Sequence, residues 1–260
     1  MATNPRALVI ESDPTDDPRV LGGWLREAGL DLDVVRPHAG DALPPNLDAH
    51  AALIVLGGDQ HAYPGPDGQP GAPWFDAVES LLRKAVRGNV PTLGICLGAQ
   101  LLAVAHAGTV ELSPAGPEIG AQLVAKRDAA EKDPLFGPLP MLPDVVQWHY
   151  DEVTELPLGA TLLATSTNYA NQAFRVGQRA WGLQFHIECD PEMIADWAST
   201  SGPLLAELGT TADEVVARVA ELTDDLFEVW QPFATRFAAL ARGELDGPPA
   251  PGRSLPLLGH

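Results

Sequence analysis

A chain of 260 residues with 35 acidic against 16 basic side chains carries a formal charge of −19, a balance that speaks against nucleic acid or an anionic membrane surface as partner, since both repel negative charge. Apolar residues make up 45% and charged residues 20%, enough to bury one large core, and two cysteines exclude a disulfide framework and point to a reducing compartment. The N-terminal residues lack the pattern of a signal peptide and no apolar stretch nears the ~18 residues that cross a bilayer, so the expectation is a cytoplasmic protein.

Residues 7–11 read as a buried strand ended by Ser12-Asp13-Pro14. Residues 18–29 place Val20, Leu21, Trp24, Leu25 and Ala28 at helical spacing before Gly29. Residues 32–35 and 51–56 are further strands, the second running into Gly57-Gly58. Residues 74–87 carry Phe75, Val78, Leu81, Leu82 and Ala85 on one helical stripe, followed by a strand over 90–96 and a helix over 97–107. This alternation, with uniformly apolar strands, implies an α/β fold with a mostly parallel central sheet and helices on both faces. Ligands in such folds sit at the carboxyl ends of the strands, where Gly57-Gly58 and Cys96 fall.

From about residue 110 the strands shorten, with candidates at 145–150, 160–164, 171–176 and 180–186, read as an antiparallel extension. Residues 191–241 are helical in pattern, the longest run extending from Glu214 to Leu240, and a Pro-rich segment follows Gly243. The chain thus divides into an α/β domain over 1–190, a C-terminal helical extension over 191–243 and a flexible tail over 244–260. No internal repeat is visible.

The sharpest feature is Gly94-Ile95-Cys96-Leu97-Gly98 between a predicted strand and a predicted helix. A tight strand-to-helix turn lifts a nucleophile out of a sheet, and small residues at −2 and +2 let the neighbouring backbone pack close. The helix N-terminus beyond Cys96 favours a thiolate, and the N–H of Leu97 would point at a developing oxyanion. A thiol nucleophile needs a base and the base an orienter. His186 is followed two residues later by Glu188, and on extended chain residues i and i+2 face one side. Cys189, on the same extended reading, faces away from His186. His149 reads either as a satisfied structural histidine or as a contact near the substrate path. Trp148 and Trp181 read as core or pocket walls. The acidic residues of 207–228 read as a solvated helix face.

Gly94-Ile95-Cys96-Leu97-Gly98-Ala99-Gln100 and Gly182-Leu183-Gln184-Phe185-His186-Ile187-Glu188 resemble the two hallmark segments of class I (triad-type) glutamine amidotransferases. Gly57-Gly58 is similar to that family's oxyanion-strand turn. Trp148-His149-Tyr150-Asp151 stands where the family has a histidine-containing substrate loop. The resemblance covers residues 50 to 190 well and implies a flavodoxin-like sheet. It further implies that Cys96 attacks the side-chain amide of L-glutamine while His186 moves the proton and Glu188 orients His186. The N–H groups of Leu97 and of Gly57 or Gly58 would hold the oxyanion. Gln100 and the backbone at Tyr150 and Asp151 would bind the glutamine. No metal and no organic cofactor are implied.

Three residues depart from the family pattern: Asp59 and Ile187 where proline is usual, and Ala99 where a larger side chain is common. No nucleotide-phosphate loop or second α/β unit is visible, so an ammonia acceptor would belong to a separate synthetase subunit. The alternatives are a hydrolase of another γ-glutamyl compound, as in γ-glutamyl peptidases, and a catalytically silent scaffold.

Overall fold

The computed structural model describes residues 3–248, so the expectation of a flexible tail falls for residues 249–260 outside the described residues. The first half of the chain follows the predicted alternation closely. The strands are β1 (Arg6–Ile10), β2 (Asp31–Val35), β3 (Ala52–Val55) and β4 (Thr92–Ile95), with helices α1 (Arg19–Glu27), α2 (Phe75–Gly88) and α3 (Leu97–Ala105). There follow β5 (Thr109–Leu112), β6 (Glu118–Leu123), β7 (Ala125–Lys126), β8 (Asp144–His149), β9 (Asp151–Glu155), β10 (Thr161–Thr165), β11 (Ala173–Val176) and β12 (Ala180–Leu183). Helices α4 (Pro191–Thr200), α5 (Gly202–Glu207), α6 (Ala212–Glu221) and α7 (Thr223–Ala241) close the chain.

The main sheet has the order β2-β1-β3-β4-β12-β11-β10-β7. It is parallel from β2 through β12 and antiparallel across β11, β10 and β7. Alternation along β1 explains the two layers. Ala7 and Val9 point into an apolar cluster with Leu21, Trp24 and Leu25 of α1 and Trp230, Phe233 and Phe237 of α7. Leu8 and Ile10 point into the opposite cluster, with Phe75, Val78 and Leu82 of α2 and Leu101 and Leu102 of α3. Strands buried on both faces are apolar throughout, as parallel sheets require. The C-terminal helices therefore share a core with the sheet. Among the described residues no helix is long and apolar enough to cross a membrane.

Four strands escape a sequence reading. β5 leaves Glu111 and Leu112 exposed, β6 is interrupted by Gly120 at φ +85°, β7 is two residues long, and β9 follows β8 after one residue with polar residues at four of its five positions, so none shows an apolar alternation of its own. The Glu214–Leu240 run is two helices. At Leu222 (φ −100°, ψ 2°) the N–H bonds the Ala220 and Val219 carbonyls and the helix tightens to a stop. A single helix of that length would be ~40 Å long. The break lets α6 pack on α4 and β6 while α7 crosses to α1 and β8, where Trp230 Nε1 donates to the Asp144 carbonyl at 2.9 Å.

The strand expected to carry His186 stops at Leu183. Its parallel neighbour β4 ends at Ile95, where the chain turns into α3, and Cys96 N–H caps the Leu183 carbonyl at 2.7 Å. Beyond that point no parallel partner remains. The chain crosses instead to β8, where His186 N–H donates to the Val146 carbonyl at 2.8 Å.

Candidate active site

Cys96 sits between β4 and α3 with φ +49° and ψ −109°, a conformation that L-residues other than glycine rarely hold without support from their surroundings. The support is close packing of backbone. A Cβ on Gly94 would lie 2.5 Å from the Gly98 carbonyl oxygen, and one on Gly98 would lie 2.0 Å from the Val55 carbonyl oxygen of β3. Both glycines are therefore required by contact with main chain that cannot swing aside. Gly98→Ala is expected to lower the unfolding free energy by ~3 kcal/mol or more, at the top of the usual range for overpacking. Gly23→Ala, with nothing within 4 Å of the added Cβ and a helical backbone, is the control and should be neutral or stabilising. Urea unfolding of both variants checks the pair.

His186 is 2% exposed and Glu188 is fully buried. The His186 Nδ1–H donates to Glu188 Oε1 at 2.7 Å, and the Ile187 N–H donates to Glu188 Oε2 at 2.9 Å. Both carboxylate oxygens are thus committed, which fixes the proton on Nδ1 and turns Nε2 outward. Among the described residues Nε2 has no hydrogen-bond partner of good geometry. Burial works against protonating this ring, but the Glu188 carboxylate and the Cys96 sulfur beside it outweigh burial and hold its pKa well above the ordinary histidine value. The Trp197 indole packs on the imidazole with ring centroids 4.8 Å apart.

Cys96, His186, Gly58, Gln100, Tyr150 and Asp151 line one cavity of about 670 Å³ at the carboxyl ends of the parallel strands. Gly57 and Gly58 bring the end of β3 against it. A Cβ on Gly58 would lie 3.1 Å from Leu97 Cδ2, and one on Gly57 would lie 3.2 Å from His186 Cε1. Gln100 Nε2 donates to the Asp151 carbonyl and to Gln184 Oε1, each at 3.3 Å, and Gln184 Nε2 reaches Cys96 Sγ at 3.8 Å. His149 Nδ1 also lies 3.2 Å from the Asp151 carbonyl, and the Tyr150 carbonyl accepts from Ser113 N–H at 3.0 Å. Both carbonyls are therefore occupied internally. The Asp151 carboxylate is held by His61 Nδ1 at 2.6 Å and the Tyr63 hydroxyl at 3.0 Å.

His149 is contacted at both ring nitrogens, Nδ1 at 3.2 Å from the Asp151 carbonyl and Nε2 at 2.9 Å from Gln147 Oε1, and a neutral ring donates to one of the two. Gln147 continues through Gln172 to the buried Glu118 carboxylate. This chain of buried polar groups runs from the cavity wall at His149 into the interior, where its members bond one another. Of the two readings of His149, the structure gives it structural bonds while leaving it on the cavity wall.

The sequence reading missed Asp16 and Trp197. Asp16, on the loop after β1, is 4% exposed and lines the cavity. Burial pushes its carboxyl up to about 7, with His186 pulling the other way and Glu188 adding to the rise. Its place at the carboxyl end of β1, beside β3, was the available signal. Trp197 comes from α4, whose N-cap Asp190 accepts from Met193 N–H immediately after Glu188. A helix beginning there puts its second turn over the histidine. Cys189 does not face away as expected. The chain bends into α4, and its sulfur lies within 4.8 Å of ligand atoms of His186 and Glu188. Burial and the Glu188 carboxylate push that thiol well above its ordinary value, which leaves it a poor nucleophile.

The chain matches the family Glutamine amidotransferase class-I over residues 23–195. It is 32% identical over 186 residues to the glutamine amidotransferase-like protein YfeJ of Salmonella typhimurium, covering 71% of this chain and 76% of that one. It is 29% identical over 194 residues to γ-glutamyl peptidase 5 of Arabidopsis thaliana, covering 70% and 74%. The crystal structure of a glutamine amidotransferase from Thermotoga maritima superposes with a TM-score of 0.80 at 27% identity, covering 91% of this chain and 99% of that one.

Proposed function

This chain belongs to the class I glutamine amidotransferase family, and from that premise we propose that it is a glutaminase-type enzyme that hydrolyses the side-chain amide of L-glutamine to glutamate and ammonia. The observation that carries the reading is that Cys96 and His186 line one cavity, the cysteine on a strained elbow and the histidine held from behind by the buried Glu188 carboxylate. The Cys96 thiol gives its proton to His186 Nε2, and the sulfur attacks the amide carbon. The helix N-terminus at Leu97 and the backbone at Gly58 supply N–H donors to the oxyanion. The C–N bond breaks with its electron pair on nitrogen, which takes the proton from Nε2. Water then cleaves the γ-glutamyl thioester, with His186 as base. Gln100 and the Tyr150 segment bind the amino-acid end. The chain's own groups supply each of these steps. The ammonia passes to an acceptor on a separate synthetase subunit, and the enzyme works in the cytoplasm, where the two free cysteines stay reduced.

A second substrate has support of its own. A cavity of about 670 Å³ exceeds what one glutamine fills, and it is Asp59 that lines it beside Gly58, so a γ-glutamyl compound with a larger leaving group fits as well. The test is ammonia release from L-glutamine by the wild type and by Cys96→Ala, with a γ-glutamyl dipeptide in competition. Release by the wild type alone supports glutaminase chemistry, and preference for the dipeptide moves the assignment to γ-glutamyl hydrolysis. If neither compound is cleaved and a diazo-ketone glutamine analogue fails to label Cys96, the scaffold reading replaces both.

A further inference from the structure

A second carboxyl stands beside the triad with no part in orienting it. Asp16 Oδ1 would lie 2.5 Å from a Cβ on Gly57, and His186 Cε1 would lie 3.2 Å from the same point. Carboxyl and imidazole therefore meet on one face of Gly57. Cε1 is the ring carbon between Nδ1, which Glu188 holds, and Nε2, which serves Cys96. A nitrogen that takes a proton from Nε2 must come within ~3 Å of it, inside the cavity that Asp16 lines together with Cys96 and His186.

Asp16 is also short of partners. Among the described residues its carboxylate receives one side-chain hydrogen bond, from Thr15 Oγ1 to Oδ2 at 3.3 Å, and pairs with no lysine or arginine. A buried carboxylate with spare lone pairs is costly unless a donor arrives. The cavity it lines is where a substrate would bring one. Its raised pKa of about 7 fits a group that lacks such a donor while the cavity is empty.

We propose that Asp16 holds the leaving nitrogen: its carboxylate accepts an N–H hydrogen bond from the scissile amide and keeps it as the amine departs. The inference rests on the glutaminase reading and adds a substrate preference, for γ-glutamyl amides over γ-glutamyl esters. When the C–N bond breaks, nitrogen keeps the electron pair and takes the Nε2 proton. Asp16 takes no proton. By accepting an N–H it makes that nitrogen more basic as the proton arrives.

The test compares L-glutamine with the γ-methyl ester of L-glutamate, which gives the same thioester but releases methanol, a leaving group with no N–H. The readout is kcat/KM, which covers the steps through acylation. In Asp16→Asn the value for glutamine is expected to fall ~10- to 100-fold, the loss of one charge-assisted hydrogen bond, while the ester value stays within about threefold of the wild type. Retained ester turnover shows that the variant is folded. An unchanged amide-to-ester ratio overturns the proposal, as does an equal loss on both substrates in Asp16→Asn and Asp16→Ser, which would make the residue structural. An active wild type with an unchanged ratio removes only the role of Asp16, whereas a wild type that cleaves neither compound removes the glutaminase reading with it.

Discussion

Cys96→Ser is expected to lower glutamine hydrolysis by ~10⁴-fold or more, close to the loss from Cys96→Ala. The substitution keeps a nucleophilic side chain of similar shape at the elbow and leaves the Gly94 and Gly98 contacts untouched, so the melting temperature should barely move. What changes is the ease of forming the anion. A thiol ionises far more readily than an alcohol, and sulfur attacks as a preformed or nearly formed thiolate. Here the stabilisation of that anion is built in: the sulfur faces an imidazole whose pKa is held well above the usual value, and the helix α3 begins at the next residue. With serine the sulfur that helps raise the imidazole's pKa is gone, and the alcohol keeps its proton against any imidazole. Steady-state ammonia release and labelling by the diazo-ketone analogue check this together. A serine variant within tenfold of wild type would mean that the sulfur is not the attacking atom.

The first half of the chain was legible because its signals are local. Uniformly apolar strands such as residues 52–55 and striped helices such as 75–88 need no long-range information. The elbow was legible for the same reason: Gly94 and Gly98 flank Cys96 at fixed offsets, and the clash each would create is with backbone brought there by the turn itself. His186 and Glu188 met as expected, but for a partly different reason. They lie beyond β12, on chain that pairs through Val146 of β8. Asp16 and Trp197 were harder to read. Asp16 is signalled by its place at the end of β1 and not by its own spelling, and Trp197 reaches His186 only because α4 starts at Asp190 and its indole is anchored on the Thr15 carbonyl at 3.1 Å. The split at Leu222 was hidden likewise, because the apolar stripe continues through it while the packing partner changes from α4 and β6 to α1 and β8.

Glu188→Gln is expected to cost ~10²- to 10⁴-fold in kcat, less than removal of Cys96, since substrate binding and oxyanion donors persist. The isosteric change is severe because both oxygens of Glu188 accept, one from His186 Nδ1–H and one from the Ile187 N–H. A glutamine must turn its NH₂ toward one of those donors, so at least one buried N–H loses its partner and the ring loses its fixed tautomer. The variant also removes the charge that raises the His186 pKa, and this has a pH signature with a definite sign. The folded histidine holds its proton more tightly than the unfolded one, whose pKa is about 6.5. The resulting stabilisation is fully present below that value and is lost as pH rises through the raised folded pKa. The wild type should therefore exceed Glu188→Gln in stability by most at low pH, with the gap closing as pH rises above about 6.5. Urea midpoints measured at intervals from about pH 5 to pH 9 test it. Two curves that run parallel across that range would show that Glu188 does not hold charge on His186, and the orienting role would fall even if activity were lost.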